Sequence, residues 1–466
     1  MKKLSELISD TSDIDILGVC DDSRKVKPGY LFVATKGFHV DHYDYIQDAI
    51  DRGAVAIVSD RETSTSVPTF VVSDINSVFV EICQKFYDVR PSDFFLIGIT
   101  GTDGKTTTTT IIFELLRKIK NCALIGTNGV YINDQFYSSD NTTPCVSELY
   151  SFLSLAKYSG CEVVIMEVSS EALLHDRLHS FTFNRVGYTN ITEDHLNIHE
   201  TLENYRNCKF KLLDLLSEDA LVFSNGDDFN CKKIDISNVS TYGKSSDNTF
   251  VISNVNQMSK NVEFSIKCKE ESFSISSPLS GEYNIYNLTL AFLIGRSIGV
   301  DTSYLIQQIA TVSVIPGRRE FLDFGQDYDI LLDYAHTYNG IYQVLQSVQS
   351  YPYIITVTGA AGGREKEKRP KIGKLLLEKS TLVIFTMDDP RFESASDIID
   401  EMVSDSREHY LKIIDRKEAI GRALSLATKG SIVLILGKGR DNYMAIGDQR
   451  IDYSDLEVIQ NYFKNE

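Results

Sequence analysis

FFLIGITGTDGKTTTTTIIFELLRKIK, residues 94–120, joins an apolar run to a glycine turn and then to a helical stretch. Strand, loop and helix in that order are the setting a phosphate-binding loop requires. The usual spelling puts a first glycine five positions before the glycine of Gly-Lys-Thr, and that position, counted back from Gly104, is Ile99. The loop is a shortened one. Gly101 and Gly104 let backbone N–H groups turn toward phosphate oxygens, and the helix N-terminus adds positive potential. Thr102, Asp103 and Thr107 belong to the same expected ATP contact. Lys105 is expected to neutralise the β- and γ-phosphates, and the Thr106 hydroxyl to hold a magnesium ion. An ordinary strand-to-helix turn is the competing reading, and Gly-Lys-Thr directly after an apolar strand speaks against it.

Outward from the loop, strand-like and helix-like runs alternate along the whole chain. YLFVAT, YDYIQDAIDRG and AVAIVSD suggest a first small α/β unit over residues 1–90, closed by the linker-like VRPSD. CEVVIMEVS, RVGYTNI and ALVFSN alternate with VSELYSFLSLAKY and LENYRNCKFKLLDLL, which predicts a central unit over 91–315 with a mostly parallel, doubly covered sheet. From Pro316 the alternation restarts with YDILLDYAH, YIITVTGA, TLVIFTMDD and SIVLILGKG, a third unit over 316–466. The fold class is α/β, as three consecutive domains.

A length of 466 residues suits roughly three domains, and 42% hydrophobic with 24% charged residues allows each a core. A net charge of −18 argues against binding nucleic acid or anionic membranes. No apolar stretch reaches the length of a membrane span, and MKKLSELISDTSDID lacks the apolar run of a secretory signal. A cytoplasmic protein is expected. Eight cysteines without Cys-x-x-Cys spacing fit reduced thiols better than a disulfide frame or a zinc site.

Two further segments carry candidate chemistry. Glu167 ends the apolar run of IMEVSSEAL, where a charge is costly unless it is paired or meets a metal, so it is a candidate magnesium ligand; a capping carboxylate is the alternative. In YTNITEDHLNIHETLENYRNCKFKLL, His195 follows a strand and Lys209 sits in an amphipathic helix. Taken alone, His195 reads as a structural histidine and Lys209 as a solvated one.

Together the motifs resemble those of the Mur ligases of peptidoglycan synthesis, in particular the members that add a diamino acid. They are DSRKVKPGYLFVA (22–34), TGTDGKT (100–106), NTTP (141–144), EVSSEAL (167–173), TNITEDHLNIH (189–199), YRNCK (205–209), NIYN (284–287), IPGRRE (315–320), DYAHTYN (333–339), KRPKIG (368–373), DDPR (388–391) and GKGRDNYM (437–444). They run in order over nearly the whole chain, which is more specific than any one of them. The resemblance implies a UDP-binding first domain, a central ATP-binding domain of P-loop type and a Rossmann-like ligase domain that binds the amino acid. It implies that the γ-phosphate passes to the terminal carboxylate of UDP-N-acetylmuramoyl-L-alanyl-D-glutamate, giving an acyl phosphate that an amine attacks. A carboxylate is a poor electrophile because oxide is a poor leaving group; phosphate is a good one.

The implied roles follow motif by motif. Lys105 and Thr106 meet the phosphates and a first Mg2+, with Glu167 on the same ion; His195 holds a second Mg2+, and Lys209 takes up carbon dioxide as a carbamate that joins the metal ligands. Asn284 and Asn287 resemble adenine-side contacts, Arg318 the residue that reaches the γ-phosphate, Asp333 the ribose contact, and His336 lies near the nucleotide. Singly these read as a helix cap, a turn and a strand-end carboxylate. Ser23 resembles the uridine-side contact, and Asn141, Thr142, Thr143, Ser169 and Arg177 the muramoyl-peptide contacts. Two positions depart from the family pattern there: Glu171 stands where a histidine is usual and His175 where a glutamine is.

For the amino acid, Arg391 in DDPRFES is the diagnostic position, since a guanidinium grips a far carboxylate that lysine lacks. Arg364 matches a second such arginine, and Asp388, Asp389, Pro390, Gly437 and Asp441 complete the implied subsite. GKGRD departs from GKGHE: the distal ammonium would meet the shorter Asp441, with the extra charge of Arg440 beside it. The resemblance thus implies meso-diaminopimelate, with lysine or a diamino diacid such as lanthionine as alternatives, and a monomer acting on small molecules. A folylpolyglutamate synthase-like ligase lacks the DSRKVKPG unit, a P-loop switch ATPase has no use for Lys209 or GRRE, and a non-catalytic scaffold need not keep Lys105, Glu167, His195 and Lys209.

Overall fold

Residues 1–9, 11, 13–36, 41–258, 260–404 and 410–464 are described by the computed structural model of the chain. The run at residues 94–100 becomes the strand Phe95–Thr100, inside a sheet of eleven strands among the described residues. It pairs in parallel with Val163–Glu167 on one side and Phe183–Tyr188 on the other. Strands covered on both faces read as continuous apolar runs, and successive side chains point to opposite faces. Leu96, Val164 and Met166 accordingly enter one core, and Ile97, Ile99 and Ile165 the other.

From Phe95–Thr100 the chain passes through the helix Lys105–Leu116 to Cys122–Gly126 and Val163–Glu167 on one side, then crosses to Phe183–Tyr188 on the other. The reversal opens a crevice at the C-terminal strand ends, where ligands of such sheets bind. In register, Glu167 lies opposite Ile99 and Tyr188 opposite Thr100, so the segments after all three strands emerge at one edge.

Both ends of this sheet turn antiparallel, which the sequence reading did not foresee. One end is the hairpin Gly129–Ile132 with Gln135–Tyr137, and the other is the meander Phe250–Gln257, Val262–Cys268, Glu271–Ser277. The meander alternates polar and apolar side chains, and Ile252, Phe264, Ile266 and Ile275 cover helix residues Phe292 and Leu305.

The first unit has four parallel strands, Gly18–Cys20, Tyr30–Ala34, Ala54–Ser59 and Thr69–Val71. Phe32, Ala34 and Ile57 face a small local core, whereas Leu31, Val33 and Val58 share a larger one with Leu149 and Leu153 of the central unit.

The third sheet runs in the order Glu320–Leu322, Asp329–Asp333, Ile432–Leu436, Ile354–Thr358, Leu382–Phe385, Leu411–Lys412, antiparallel only at the first pair. Its two faces bury Leu331, Leu434 and Leu436 on one side and Ile330, Val433 and Ile435 on the other. DYAH, GGRE, DDPR and GKGR follow four adjacent parallel strands and so cluster at one end.

A buried ion pair ties this unit together. Arg416 donates to Asp455 at 2.8 and 2.7 Å and to the Leu436 carbonyl at 2.8 Å. Arg416→Met would leave the Asp455 carboxylate buried without its cation, at a cost of about 3–5 kcal/mol. The expected outcome is a markedly lower urea midpoint for this variant; a midpoint equal to the parent's would show that the pair contributes nothing.

Candidate active site

The glycine loop is held by its neighbours rather than by itself. Thr102 N–H donates to the Asn190 carbonyl at 2.7 Å, Asp103 N–H to the Asn190 side chain at 3.0 Å, and the Thr189 hydroxyl to the Asp103 carbonyl at 2.6 Å. A Cβ at Gly101 would lie 1.9 Å from the Thr189 hydroxyl, and one at Gly104, where φ is +85°, 2.5 Å from Asn287 Oδ1. Only glycine permits both approaches. Thr192 N–H donates to Thr102 Oγ1 at 3.0 Å, so Thr189, Asn190 and Thr192 form a scaffold for the loop, a role that TNITEDHLNIH was not given from sequence; its signal was their place after the neighbouring strand.

Thr106 Oγ1 donates to Glu167 Oε2 at 2.9 Å, and the same carboxylate accepts from Thr127 N–H at 2.9 Å. Arg318 reaches across from the third unit to Thr106 Oγ1 at 3.1 Å, its guanidinium 4.3 Å over the Tyr334 ring. Thr127, absent from the sequence reading, orients Glu167.

Lys105 curls back onto the Gly101 and Thr102 carbonyls at 2.9 and 2.8 Å. Lys209, 1% exposed, donates to the same Gly101 carbonyl at 2.8 Å and lies 4.6 Å over the Tyr205 ring. Burial first and the Lys105 cation second push the Lys209 ammonium well below the ordinary lysine range. His195 sits at a left-handed residue with φ of +56°. Its Nδ1 is buried without a hydrogen-bond partner, 3.9 Å from Glu171, and its Nε2 is 3.5 Å from Asp194. Burial brings the His195 ring down to about 4, so it is neutral at pH 7.

Asn287 accepts from the Thr108 hydroxyl at 3.3 Å and donates to Asn284 at 3.2 Å, so this pair braces the loop helix. Asp333 accepts backbone N–H groups of Arg319 and Ala335 at 2.6 and 2.7 Å. His336 stands edge-on to Tyr334, and the Thr337 hydroxyl touches Asp103 at 3.3 Å.

A cleft of about 1500 Å³ lies beside this centre; Ser23, Asn141, Arg177, Glu171 and His175 line it, with Arg450 from the third unit. Thr143, Thr142 and Ser169 stand behind it. Thr143 Oγ1 donates to the Glu167 carbonyl at 2.7 Å and accepts Ser169 N–H at 3.0 Å, while Arg177 donates to the Thr143 carbonyl at 2.9 Å. Thr142 meets Thr127 at 2.9 Å.

At the third unit's strand ends, buried Lys438 lies 2.8 Å from Asp389, 3.7 Å from Asp441 and 4.0 Å from Asp388. Asp388 and Asp389 are engaged with Lys438 inside the protein, and burial pushes Asp441 up to about 6. Arg391, at φ of +51°, is fixed by backbone bonds to Ala445 and Gly447, next to Gly363. Its neighbour loop with Arg364 and Pro390 is tied down by Glu393, which accepts Gly363 N–H at 2.6 Å and the buried Arg369 guanidinium. Arg440 does not sit free beside Asp441: it turns to Glu320.

Three family profiles match in order: "Mur ligase family, catalytic domain" over residues 15–96, "Mur ligase middle domain" over 99–295 and "Mur ligase, glutamate ligase domain" over 317–439. Among curated proteins, the UDP-N-acetylmuramoyl-L-alanyl-D-glutamate--2,6-diaminopimelate ligases of Geobacillus thermodenitrificans and Caldanaerobacter subterraneus are 36% and 34% identical, covering 96% and 99% of this chain and 94% and 97% of theirs. A solved structure of an enzyme of that name superposes with a TM-score of 0.66 at 27% identity, over 100% of this chain and 99% of that one. The MurF ligase of Thermotoga maritima in complex with ADP, 19% identical over 98% of this chain and 99% of its own, shares the fold with a TM-score of 0.68. With relatives more than 30% identical along nearly its full length, this chain belongs to the Mur ligase family.

Proposed function

We propose that the protein is an ATP-dependent ligase of peptidoglycan precursor synthesis that adds meso-diaminopimelate to UDP-N-acetylmuramoyl-L-alanyl-D-glutamate, releasing ADP and phosphate. The observation that carries this reading is the meeting of the Thr106–Glu167 pair, Arg318 and buried Lys209 at one glycine loop beside the cleft. The names of the relatives support the same substrates.

On this reading the cleft takes the UDP-muramoyl dipeptide through Ser23, Asn141 and Arg177, with Thr142, Thr143 and Ser169 shaping its inner wall. The loop residues Gly101 to Thr107 take the triphosphate, Asn284, Asn287 and His336 flank the nucleoside, and each Asp333 oxygen keeps a second lone pair for a ribose hydroxyl. Arg318 aims at the γ-phosphate as it passes to the dipeptide carboxylate. The acyl phosphate is then attacked by the diamino acid's amine, a tetrahedral intermediate forms, and phosphate leaves as the amide closes. Positioning and charge screening do most of the work in phosphoryl transfer.

Magnesium fits the residues present. Thr106 and Glu167 are hard oxygen donors at the phosphate end of the loop, and the unpartnered His195 Nδ1 is neutral. Among the described residues no three His, Cys, Asp or Glu side chains converge as a metal cage, in keeping with ions that draw most ligands from phosphate and water. When bound, the ions screen the phosphate charge. Lys209 as a carbamate belongs to this reading too: its amine is buried, bonded to a carbonyl rather than a carboxylate, and burial disfavours its charged form, the direction that reaction with carbon dioxide requires.

The division into units at 1–90, 91–315 and 316–466 goes with this assignment and is supported by sheets that fall within those bounds. No described helix is long and apolar enough to cross a membrane. A cytoplasmic monomer acting on small molecules is the form we assign.

Four outcomes test the reading. Phosphate release from ATP should require both the muramoyl dipeptide and an amino acid, with diaminopimelate preferred over lanthionine and lysine. Arg391→Ala should raise the KM for diaminopimelate about 10–100-fold, the scale of a lost charge-assisted hydrogen bond; an unchanged diaminopimelate-to-lysine ratio would remove Arg391 from the subsite. With 13C-bicarbonate, the protein should show a carbamate carbonyl resonance that Lys209→Arg lacks, and its absence from the parent would end the carbamate assignment. Finally, Asp441 with its pKa near 6 takes a proton as pH falls, losing its hold on the distal ammonium. The KM for diaminopimelate should therefore rise between pH 7.5 and about 5.5, and a flat profile would exclude Asp441 as the ammonium's partner.

A further inference from the structure

Two turns lie back to back where the nucleotide and amino-acid sites meet. One, at residues 315–318, carries Arg318. The other, at 437–441, carries Asp441. A Cβ at Gly317, where φ is +70°, would lie 2.6 Å from Arg440 N, and one at Gly439, where φ is +51°, 2.8 Å from the Gly317 carbonyl oxygen. Neither turn has room for a side chain between them, so only side chains at their margins can lock their register.

One pair does. Glu320, 5% exposed, accepts Gly317 N–H at 2.9 Å and takes the Arg440 guanidinium through Nε at 2.8 Å and through Nη2. The carboxylate thus holds the first turn by its backbone and the second by a two-pronged fork, a geometry lysine cannot supply. Arg318 donates its backbone N–H to the Ile315 carbonyl at 3.0 Å within the turn, while its side chain reaches across the domain interface to Thr106 and rests on Tyr334, whose N–H donates to the Gly317 carbonyl at 2.9 Å.

We infer that Arg440 is a positioning residue: its fork on Glu320 sets the turn that aims Arg318 at the γ-phosphate and couples that turn to the loop that meets the incoming amino acid. The inference rests on the proposed role of Arg318.

The test compares binding of a non-hydrolysable ATP analogue with binding of ADP by calorimetry, in the parent, Arg318→Ala, Arg440→Ala, Arg440→Lys and the Arg318→Ala/Arg440→Ala pair, all in Mg2+. Arg318→Ala should lower the preference for the triphosphate; if it does not, the γ-phosphate role of Arg318 fails. Arg440→Ala should lower the preference about tenfold through misplacement, Arg440→Lys should restore little of it, and the double variant should be no worse than Arg318→Ala alone. An Arg440→Ala preference equal to the parent's, or losses that multiply in the double variant, would overturn the strut. Thermal midpoints of all variants report folding, and Arg440→Lys keeps the test open if Arg440→Ala fails to fold.

Discussion

A buried and a half-buried ammonium group share one carbonyl. Lys105 and Lys209 donate to the Gly101 oxygen at 2.9 and 2.8 Å, so their nitrogens lie within about 6 Å of each other. At an effective dielectric near 20, two such charges repel by roughly 3 kcal/mol. Burial adds to the cost, and both lysines are displaced downward from their ordinary range, each with burial as the leading cause. The arrangement is tolerable if a lysine gives up its proton or if an anion settles beside the pair. The reading as a ligase uses both reliefs: phosphates against Lys105, and a neutral Lys209 open to carbon dioxide.

The sheet creates this crowding. Parallel strands deliver their following segments to one edge, and the strand order reverses at Phe95–Thr100. The loop, the Glu167 strand end and the Thr189–Thr192 segment must therefore share a small volume. Glycine at 101 and 104 is the steric result, since a side chain at either position would strike Thr189 or Asn287. The third unit repeats the device, sending DYAH, GGRE, DDPR and GKGR to neighbouring strand ends that face the loop through Arg318 and Thr337.

Motifs whose chemistry is local were legible in the sequence. Gly-Lys-Thr after an apolar strand identified the loop, and continuous apolar runs identified the parallel strands. What stayed hidden depended on pairings far apart along the chain. Thr127 has nothing in its own segment to say that it orients Glu167, 40 positions away. The partner of Arg440 is 120 positions away, so the sequence could show an extra charge but not that Glu320 absorbs it. The meander at Phe250–Ser277 was passed over because its alternation is short and polar on its outer face, the mark of an edge covered on one side.

The acidity of the chain gains a sharper meaning from the same geometry. Three deeply buried cations elsewhere are matched by carboxylates: Arg416 by Asp455, Arg369 by Glu393 and Glu401, Lys438 by Asp389. Lys105 and Lys209 are bonded instead to carbonyl oxygens, with no carboxylate within ion-pair distance among the described residues. In a chain of net charge −18, a positive centre without a direct carboxylate partner is a natural place for an external anion, since Glu167, Asp103 and Asp194 act on it only from a distance. A highly charged substrate approaching an acidic surface gains little from long-range attraction, so its binding has to come from short-range contacts with this loop and the guanidinium groups around it.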